Sequence, residues 1–326
     1  MTGTFAVTVR TSADEERASA AEEIVRGLTA EPKTLSPKFL YHEDGSELFD
    51  EITRLEEYYP TRIERSLLEC FGAEIIDDVR PQEIVELGPG NSAKSGTLIG
   101  PALRAGTLKR YIPFDISEPA VREGAQALFD AYPDLGEVVA VVGDFERHLS
   151  AIPRPEGTRL IAFLGSTIGN LHPDERKRFL AEVRGLMARS EDALLLGADL
   201  IKETSIIEAA YNDARGITAL FNLNSLKAVN DLLGIDIDID LFRHRAFFNA
   251  EHSRIEMHLE AQTDVAFTLP ASGNTVRIRA GETIWTESSY KFTKDGLGEA
   301  LNETGFRNVR WFTDPEEMFA LVLARP

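Results

Sequence analysis

A glycine turn and the acidic residues around it are the first candidates for chemistry. Gly88-Pro89-Gly90 follows the short apolar run 84–87, and a tight turn between a strand and a helix lets backbone N–H groups approach a ligand closely. The third glycine of a dinucleotide fingerprint is missing, and Glu86 is unlike a residue of a phosphate cradle. An acidic residue beside such a turn suits a cationic, hydroxyl-bearing nucleoside, of which S-adenosylmethionine is one. An ordinary strand–turn–helix connection explains the turn equally well.

Two aspartates end the next two predicted strands. Asp115 is placed to accept hydrogen bonds from ribose hydroxyls, and the alternative is that it caps the following helix. Asp144 could accept from an adenine amino group while the backbone N–H of Phe145 donates to a ring nitrogen, and the alternative is an ordinary loop aspartate. Because three such strand ends would meet at one edge of a parallel sheet, together they indicate a nucleoside site better than any one does.

Four further side chains could bind a small zwitterion. Asn170 offers two donors and an acceptor, which suit the carboxylate and amine of an amino acid, although an asparagine after glycine is also a common turn residue. Glu287 and Ser289 share one face of a predicted strand. A carboxylate beside a hydroxyl can hold the two nitrogens of an imidazole, and a solvated strand face is the alternative. Tyr211 lies in a helical pattern, where tyrosines commonly pack in the interior.

No catalytic or metal-binding pattern stands out. The histidines have no metal-ligand spacing, there is no nucleophile elbow or P-loop, and no residue is an obvious general base. Cys70 is the only cysteine, which excludes an internal disulfide and fits a reducing cytoplasm.

The overall charge restricts the class of partner. The 326 residues carry a formal net charge of -19, and an acidic surface repels phosphates, so we expect neither nucleic-acid nor membrane-surface binding. No apolar run approaches the roughly 20 residues that cross a bilayer. We therefore expect a cytoplasmic protein, and a monomer.

The elements that must position these residues follow a strand–helix alternation from residue 82. This alternation predicts βαβ units and an α/β fold with a parallel sheet covered by helices on both faces. The predicted strands are 84–87, 111–115, 138–142, 160–164 and 193–198. The predicted helices between them are 93–103, 119–131 and 174–188.

Upstream and downstream of this region the pattern differs. Helices are predicted at 13–29, 47–55 and 62–78, the last after a break at Tyr59-Pro60. After residue 201, two helices (203–214 and 224–233) precede two long strand-like runs (246–269 and 276–292). A helix at 295–304 and strands at 309–312 and 320–323 could return to the first sheet. We therefore predict one domain from 62–200 and 291–326, and a second, α+β domain from 1–61 and 201–290.

Five short blocks carry a resemblance to a known family. They are LFDEIT at 48–53, EYYPTR at 57–62, FLGSTIGNL at 163–171, RIEM at 254–257 and ESS at 287–289. From about Leu28 to the C-terminus the chain resembles the S-adenosylmethionine-dependent histidine N-alpha-methyltransferases of ergothioneine biosynthesis. Met257 with Glu287 and Ser289 marks the histidine-specific branch.

The resemblance implies a fold and a reaction. The fold would be a Rossmann-like class I methyltransferase domain, interrupted by a second domain that holds much of the amino acid. The reaction would transfer three methyl groups from S-adenosylmethionine to the α-nitrogen of L-histidine, giving hercynine and S-adenosylhomocysteine.

The resemblance also implies binding roles for individual residues. Lys94 would reach the cofactor carboxylate, Asn170 and Tyr211 would hold the substrate carboxylate, and Tyr58, Glu287 and Ser289 would surround the imidazole. The cofactor-binding residues would be Tyr41, Gly88, Lys94, Asp115, Asp144 and Phe145. The substrate-binding residues would be Tyr58, Gly165, Asn170, Tyr211, Met257, Glu287, Ser288 and Ser289.

Two other functions stay open. The same scaffold could methylate another aromatic amino acid such as tryptophan, although an indole has little use for a carboxylate beyond one N–H. The chain could also be a non-catalytic module that binds an amino acid or a nucleoside. A nicotinamide dehydrogenase is a poorer third, because the third glycine is missing.

Overall fold

The computed structural model describes residues 3–9, 13–90, 92, 94–145, 147–270 and 273–326. The chain divides into two units, each assembled from separate segments. The first unit comprises Met1–Thr11, Pro60–Ile201 and Phe292–Pro326, and the second comprises Ser12–Tyr59 and Lys202–Lys291.

Strands and helices are numbered separately in chain order. The strands are β1 (Thr4–Val9), β2 (Lys33–Thr34), β3 (Glu83–Leu87), β4 (Arg110–Asp115), β5 (Glu137–Val142), β6 (Arg159–Phe163), β7 (Ala193–Asp199), β8 (Phe242–Asn249), β9 (Arg254–Ala261), β10 (Val265–Thr268), β11 (Thr275–Ile278), β12 (Thr283–Tyr290), β13 (Arg307–Thr313) and β14 (Phe319–Arg325). The α-helices are α1 (Ala13–Thr29), α2 (Gly45–Ile52), α3 (Tyr59–Val79), α4 (Gly96–Arg104), α5 (Glu118–Ala131), α6 (Pro173–Gly185), α7 (Thr204–Tyr211), α8 (Ile217–Leu233) and α9 (Lys294–Glu303). Short 3-10 helices span Pro37–Tyr41, Leu149–Ala151, Thr167–Asn170 and Ile239–Leu241.

The first unit is built around a sheet in the order β1-β5-β4-β3-β6-β7-β14-β13. Pairing is parallel from β1 to β7, and β14 is antiparallel to both β7 and β13. Every residue of β3, β6 and β7 is buried, as expected of apolar strands covered on both faces. The strand order reverses at β3, and ligands of such sheets bind beyond the carboxyl ends of the strands at the reversal. The predicted Rossmann-like α/β fold is confirmed.

The second unit is built around a smaller sheet in the order β2-β12-β9-β8. β8, β9 and β12 are antiparallel, and β2 runs parallel to β12. Apolar residues of α1 and α8 pack with the sheet in one core, which includes Ile24, Leu226 and Leu259. The two long runs predicted as strands are each divided by turns, and β10 and β11 form a separate hairpin. The chain therefore needs five strands where the sequence pattern indicated two.

Three predictions about the N-terminal third are wrong. Residues 4–9, assigned to the second domain, form β1 and pair with β5 of the first unit, with Thr4 opposite Glu137. Helix α3 begins at Tyr59 rather than after a break, because Pro60 lies in its first turn, where the missing N–H has no intrahelical partner to lose. Helix α2 ends at Ile52, three residues earlier than predicted. The predicted start of the next helix at residue 93 lies outside the described residues, and α4 begins at Gly96.

Candidate functional site

The glycine turn after β3 has the geometry that a close-approaching ligand requires. Gly88 and Gly90 have φ of 67° and 55°, in the left-handed region that favours glycine. The Gly88 N–H donates to Phe114 O at 2.8 Å, which fixes the turn to the end of β4. A Cβ at either glycine would meet no atom within 4 Å. Backbone conformation therefore calls for these glycines, and the turn opens onto space that a nucleoside can fill.

Asp115 lies at the carboxyl end of β4, beside this turn. Its Oδ2 accepts from the Gly90 N–H at 3.2 Å and its Oδ1 from the Ser117 N–H at 3.0 Å. Burial raises the pKa of Asp115, and the backbone hydrogen bonds oppose that rise. The alternative role as a helix cap is wrong, because Ser117 is the N-cap of α5 and accepts from the Ala120 N–H. Asp115 instead connects the glycine turn to the strand end.

Asp144 and Phe145 follow β5, the next strand of the sheet. The Asp144 N–H donates to His148 Nδ1 at 3.1 Å, and the Phe145 ring packs against Phe163 and Phe179, with ring centroids 5.7 Å away in each case. The turn after β5 is thus held by its own contacts at the same sheet edge as the glycine turn and Asp115.

Glu86 does not face the proposed nucleoside. It is buried, and the Tyr111 hydroxyl donates to its Oε2 at 2.7 Å. Burial raises its pKa, and hydrogen bonds from Ser95 and Tyr111 oppose that rise. The carboxylate that led us to expect a cationic nucleoside is therefore enclosed within the sheet rather than presented at its edge, because β3 is covered on both faces.

Lys94 is held by a carboxylate that the sequence analysis did not single out. Glu64 of α3 is fully buried; its Oε2 accepts from Lys94 Nζ, and its Oε1 accepts from the Gly165 N–H at 2.6 Å. A Cβ at Gly197 would overlap Glu64 Oε1, so glycine makes room for this side chain on β7. The available signal was a glutamate at helical spacing from Leu67 and Leu68, on the apolar stripe of the helix.

Asn170 is the last residue of the 3-10 helix that follows β6, and β6 is the strand that pairs with β3. The loop before it takes two left-handed residues, Gly165 and Ser166, with φ of 78° and 56°. Ser166 Oγ accepts from the Asp199 N–H at 2.9 Å, which holds the loop against β7. Asn170 is partly exposed. The first unit thus brings Gly88, Lys94, Asp115, Asp144, Phe145, Gly165 and Asn170 to one edge of its sheet.

In the second unit, the register of β9 and β12 places three predicted residues on one face. Glu287 lies opposite Met257, and Ser289 lies two residues further along β12. Opposed residues of an antiparallel pair share a face. The register shifts between Trp285 and Glu287, so Thr286 is an extra residue of the kind found in a β-bulge. The shift places Glu287 on the Met257 face, away from His258, which lies opposite Trp285.

Ser288 lies opposite Glu256, on the other face of β12. Its hydroxyl is buried and has no hydrogen-bond partner among the described residues. Its side chain therefore does not join Glu287 and Ser289, and only its backbone could fill the predicted role.

Tyr211 joins this face from the end of α7. Its hydroxyl donates to Ser289 Oγ at 3.0 Å, and its backbone carbonyl lies 2.9 Å from Nε2 of His244. His244 Nδ1 lies 2.9 Å from Asn222 Nδ2, which is only a donor, so Nε2 carries the imidazole proton and donates to the carbonyl. Burial lowers the pKa of His244, which favours this neutral form. The imidazole of His244 therefore fixes the backbone of Tyr211.

Lys291 is a second residue that the sequence analysis missed. It is buried, and its Nζ donates to Tyr211 Oη at 3.0 Å and to Ser289 Oγ at 2.9 Å. Burial raises the pKa of Glu287 to about 7, and the charge of Lys291 opposes that rise. Its position two residues beyond Ser289, at strand spacing, was the available signal.

A row of aromatic rings connects Tyr211 to Tyr41 within the second unit. The Tyr58 ring lies 6.2 Å from Tyr211 and 6.1 Å from Phe49, and the Tyr41 ring lies 5.5 Å from Phe49. Tyr58, predicted to contact the substrate ring, therefore lies near Tyr211. Tyr41, predicted to bind the cofactor, belongs to this unit rather than to the first, which carries the other predicted cofactor residues.

The described part of the chain contains neither a metal-binding cluster nor a membrane-spanning helix. No set of three or more His, Cys, Asp or Glu side chains there is arranged to hold a metal ion. No helix there is long and apolar enough to span a membrane.

Comparison with known proteins places these residues in a family. The sequence profile of a family described as "Histidine-specific methyltransferase, SAM-dependent" matches residues 20–326. The histidine N-alpha-methyltransferase of Mycolicibacterium smegmatis is 44% identical over 96% of this chain and 97% of its own. The protein of the same name from Mycobacterium tuberculosis is 44% identical over 93% of each chain. Ergothioneine biosynthesis protein 1 of Schizosaccharomyces pombe is 31% identical to this chain. The match covers 85% of this chain and 36% of that longer protein.

The resemblance inferred from short sequence blocks is thereby confirmed, and with it the class I methyltransferase assignment of the sheet. The chain belongs to the S-adenosylmethionine-dependent, histidine-specific methyltransferase family.

Proposed function

We propose that this enzyme transfers three methyl groups from S-adenosylmethionine to the α-amino nitrogen of L-histidine, giving hercynine in ergothioneine biosynthesis. The observation that carries the proposal is the shared face of Met257, Glu287 and Ser289. A carboxylate and a hydroxyl two residues apart match the two nitrogens of an imidazole. The two histidine N-alpha-methyltransferases at 44% identity support the same substrate.

The residues at the edge of the first sheet suit S-adenosylmethionine, which supplies a methyl group already activated on a sulfonium. The open glycine turn admits a nucleoside, and the carboxylate of Asp115 would accept from ribose hydroxyls. Asp144 and Phe145 would contact the adenine ring. The ammonium of Lys94 would attract the carboxylate of the methionine moiety, since Lys94 keeps a partly exposed side chain although it pairs with Glu64.

The histidine would be held at both of its ends. Asn170 would bind the carboxylate and the amine, and Tyr211 would lie beside the carboxylate, with its one hydroxyl proton donated to Ser289. Glu287 would accept from the imidazole N–H, Met257 would fill the pocket wall, and the Tyr58 ring would tolerate the growing cationic charge of the methylated nitrogen.

The protein's contribution to the rate would be mainly orientation. Holding two reactants in line can supply roughly 7–11 kcal/mol of a barrier. The α-amine must be neutral to attack, and we propose that it loses its proton to water, since no residue of the proposed site is an obvious general base.

Mass spectrometry of L-histidine incubated with the enzyme and S-adenosylmethionine tests the proposal. We expect masses increased by one, two and three methyl groups, with the trimethylated product accumulating. Parallel reactions with L-tryptophan and L-phenylalanine test the alternative substrates. Methylation of tryptophan in preference to histidine would refute the substrate assignment, and tight binding of both ligands without any methylated product would favour the non-catalytic module.

We also propose that the enzyme works as a cytoplasmic monomer that binds no nucleic acid. The net charge of -19 opposes association with phosphate polymers. Light scattering coupled to gel filtration should give the mass of one chain, 36.1 kDa, and a mass of twice that value would contradict the monomer.

A further inference from the structure

Lys291 forms a closed triangle of polar atoms with Tyr211 and Ser289. Its Nζ lies 3.0 Å from Tyr211 Oη and 2.9 Å from Ser289 Oγ, and the two hydroxyl oxygens are 3.0 Å apart. Lys291 and Ser289 are both buried, at 3% exposure each, and Tyr211 is 8% exposed. A buried ammonium is costly unless its protons are donated to acceptors, and here two of those acceptors are the hydroxyls of residues assigned to the substrate.

The triangle restricts where its hydroxyl protons can point. An ammonium only donates, so each hydroxyl oxygen accepts from Lys291. One hydroxyl proton lies between the two oxygens, and Tyr211 is its donor, because a phenol is more acidic than the aliphatic hydroxyl of serine and therefore the stronger hydrogen-bond donor. Ser289 Oγ then accepts twice, so its own proton must be donated to a third group. Glu287 lies on the same face two residues earlier, and its ionised carboxylate only accepts.

We propose that Lys291 is a positioning residue that fixes Ser289 as a hydrogen-bond donor, so that Ser289 and Glu287 together select a neutral imidazole ring. This inference rests on the proposed function. A neutral imidazole has one N–H and one lone pair, which match Glu287 as acceptor and Ser289 as donor. An imidazolium has two N–H groups, so one N–H donor would face the O–H donor of Ser289 without an acceptor between them. An indole has no nitrogen lone pair to accept it.

The charged and titratable groups around the ring position support this preference. Among the described residues of the second unit they include Glu287 on β12, Lys291 directly after that strand, Tyr211 from α7 and the neighbouring Tyr58, while β9 contributes the uncharged Met257. A carboxylate neighbour by itself favours the charged form of an imidazole. Lys291 opposes this stabilisation of the charged imidazole in two ways: its own positive charge repels an imidazolium, and its hydrogen bond orients the Ser289 hydroxyl as a donor.

Nitrogen NMR of the bound substrate tests the inference on the unaltered protein. L-Histidine labelled with ¹⁵N in the ring is bound at pH 7.5 together with S-adenosylhomocysteine, which prevents turnover. We expect one N–H nitrogen and one lone-pair nitrogen in a single tautomer. Two N–H nitrogens would overturn the inference, but not the proposed function. Absence of any bound histidine would refute the proposed function and the inference with it.

The variant Lys291→Met tests the role of the ammonium itself. We expect the dissociation constant of histidine to rise roughly tenfold or more, as for loss of a hydrogen bond to a charged group, and the bound ring to gain an imidazolium population. Lys33→Met is the matched control, because Lys33 is also a buried lysine of this sheet but pairs with Glu282 at 2.6 Å. Unchanged affinity and an unchanged ring spectrum in Lys291→Met would overturn the inference.

Discussion

Replacement of Glu64 by glutamine tests whether one buried carboxylate organises Lys94 and the Gly165 loop. The variant Glu64→Gln keeps the size of the side chain and an oxygen that can accept from the Gly165 N–H, now 2.6 Å from Oε1. It replaces the oxygen that accepts from Lys94 Nζ with an amide group that can only donate. Two donors would then face each other, so Lys94 must turn away from the position that the carboxylate gives it.

The expected cost follows from the burial of the two partners. A hydrogen bond to a charged group contributes about 1.5–3 kcal/mol. The Lys94 side chain is 23% exposed whereas that of Glu64 is fully buried, so the ammonium can regain water and the lower end applies. We expect Glu64→Gln to reduce the free energy of unfolding by about 1.5 kcal/mol. Because Lys94 is proposed to bind the cofactor carboxylate, the KM for S-adenosylmethionine should rise several-fold while that for histidine changes less.

Thermal unfolding and initial rates measure the two effects. Glu69→Gln is the matched control, since Glu69 is exposed on the same helix, α3, and the chemical change is identical. An unchanged melting temperature together with an unchanged KM for S-adenosylmethionine in Glu64→Gln would refute the role of Glu64. Equal loss of stability in the Glu69→Gln control would refute it as well.

Three further changes give distinct expectations. Gly197→Ala should destabilise by about 1–3 kcal/mol, because its Cβ would overlap Glu64 Oε1, and overpacking costs that much; an unchanged melting temperature would contradict this contact. Glu287→Gln should stabilise the protein at pH 8 but not at pH 4: the folded-state pKa of about 7 lies above the ordinary 4.5, so ionisation costs stability as pH rises through that window, up to about 3 kcal/mol. Equal melting shifts at both pH values would refute the burial of this carboxylate. Asn170→Ala should weaken the binding of histidine and of other amino acids to the same extent, as measured by calorimetry. A loss of affinity for histidine alone would contradict the proposed role of Asn170 at the substrate carboxylate.

Much of the first unit was predictable because its strands are continuous apolar runs between turn residues. The strands β3 to β7 begin and end within one residue of their predicted positions, since a buried parallel strand needs unbroken hydrophobic sequence. Strand β1 was missed because its residues Thr4–Val9 alternate in exposure at the sheet edge, and such a short stretch resembles an extended terminus.

The candidate site was predictable where position along a strand decides the role, and not where a distant partner does. Asp115 follows from its place at a strand end, and Glu287 and Ser289 from their shared face. Glu64 acquires its role only when α3 meets residues 101 positions further along the chain. Lys291 similarly depends on Tyr211, 80 positions earlier, so its strand spacing from Ser289 could not by itself reveal the role.

The place of β14 in the first sheet has a consequence for synthesis of the chain. β14 is made after the whole inserted second unit, yet it pairs along β7, which is entirely buried. Until the ribosome has completed the inserted second unit and β14, β7 presents an unpaired apolar edge, which is a ready template for pairing with another chain. Truncation by as few as the residues of β14 should therefore yield aggregates rather than a smaller folded enzyme.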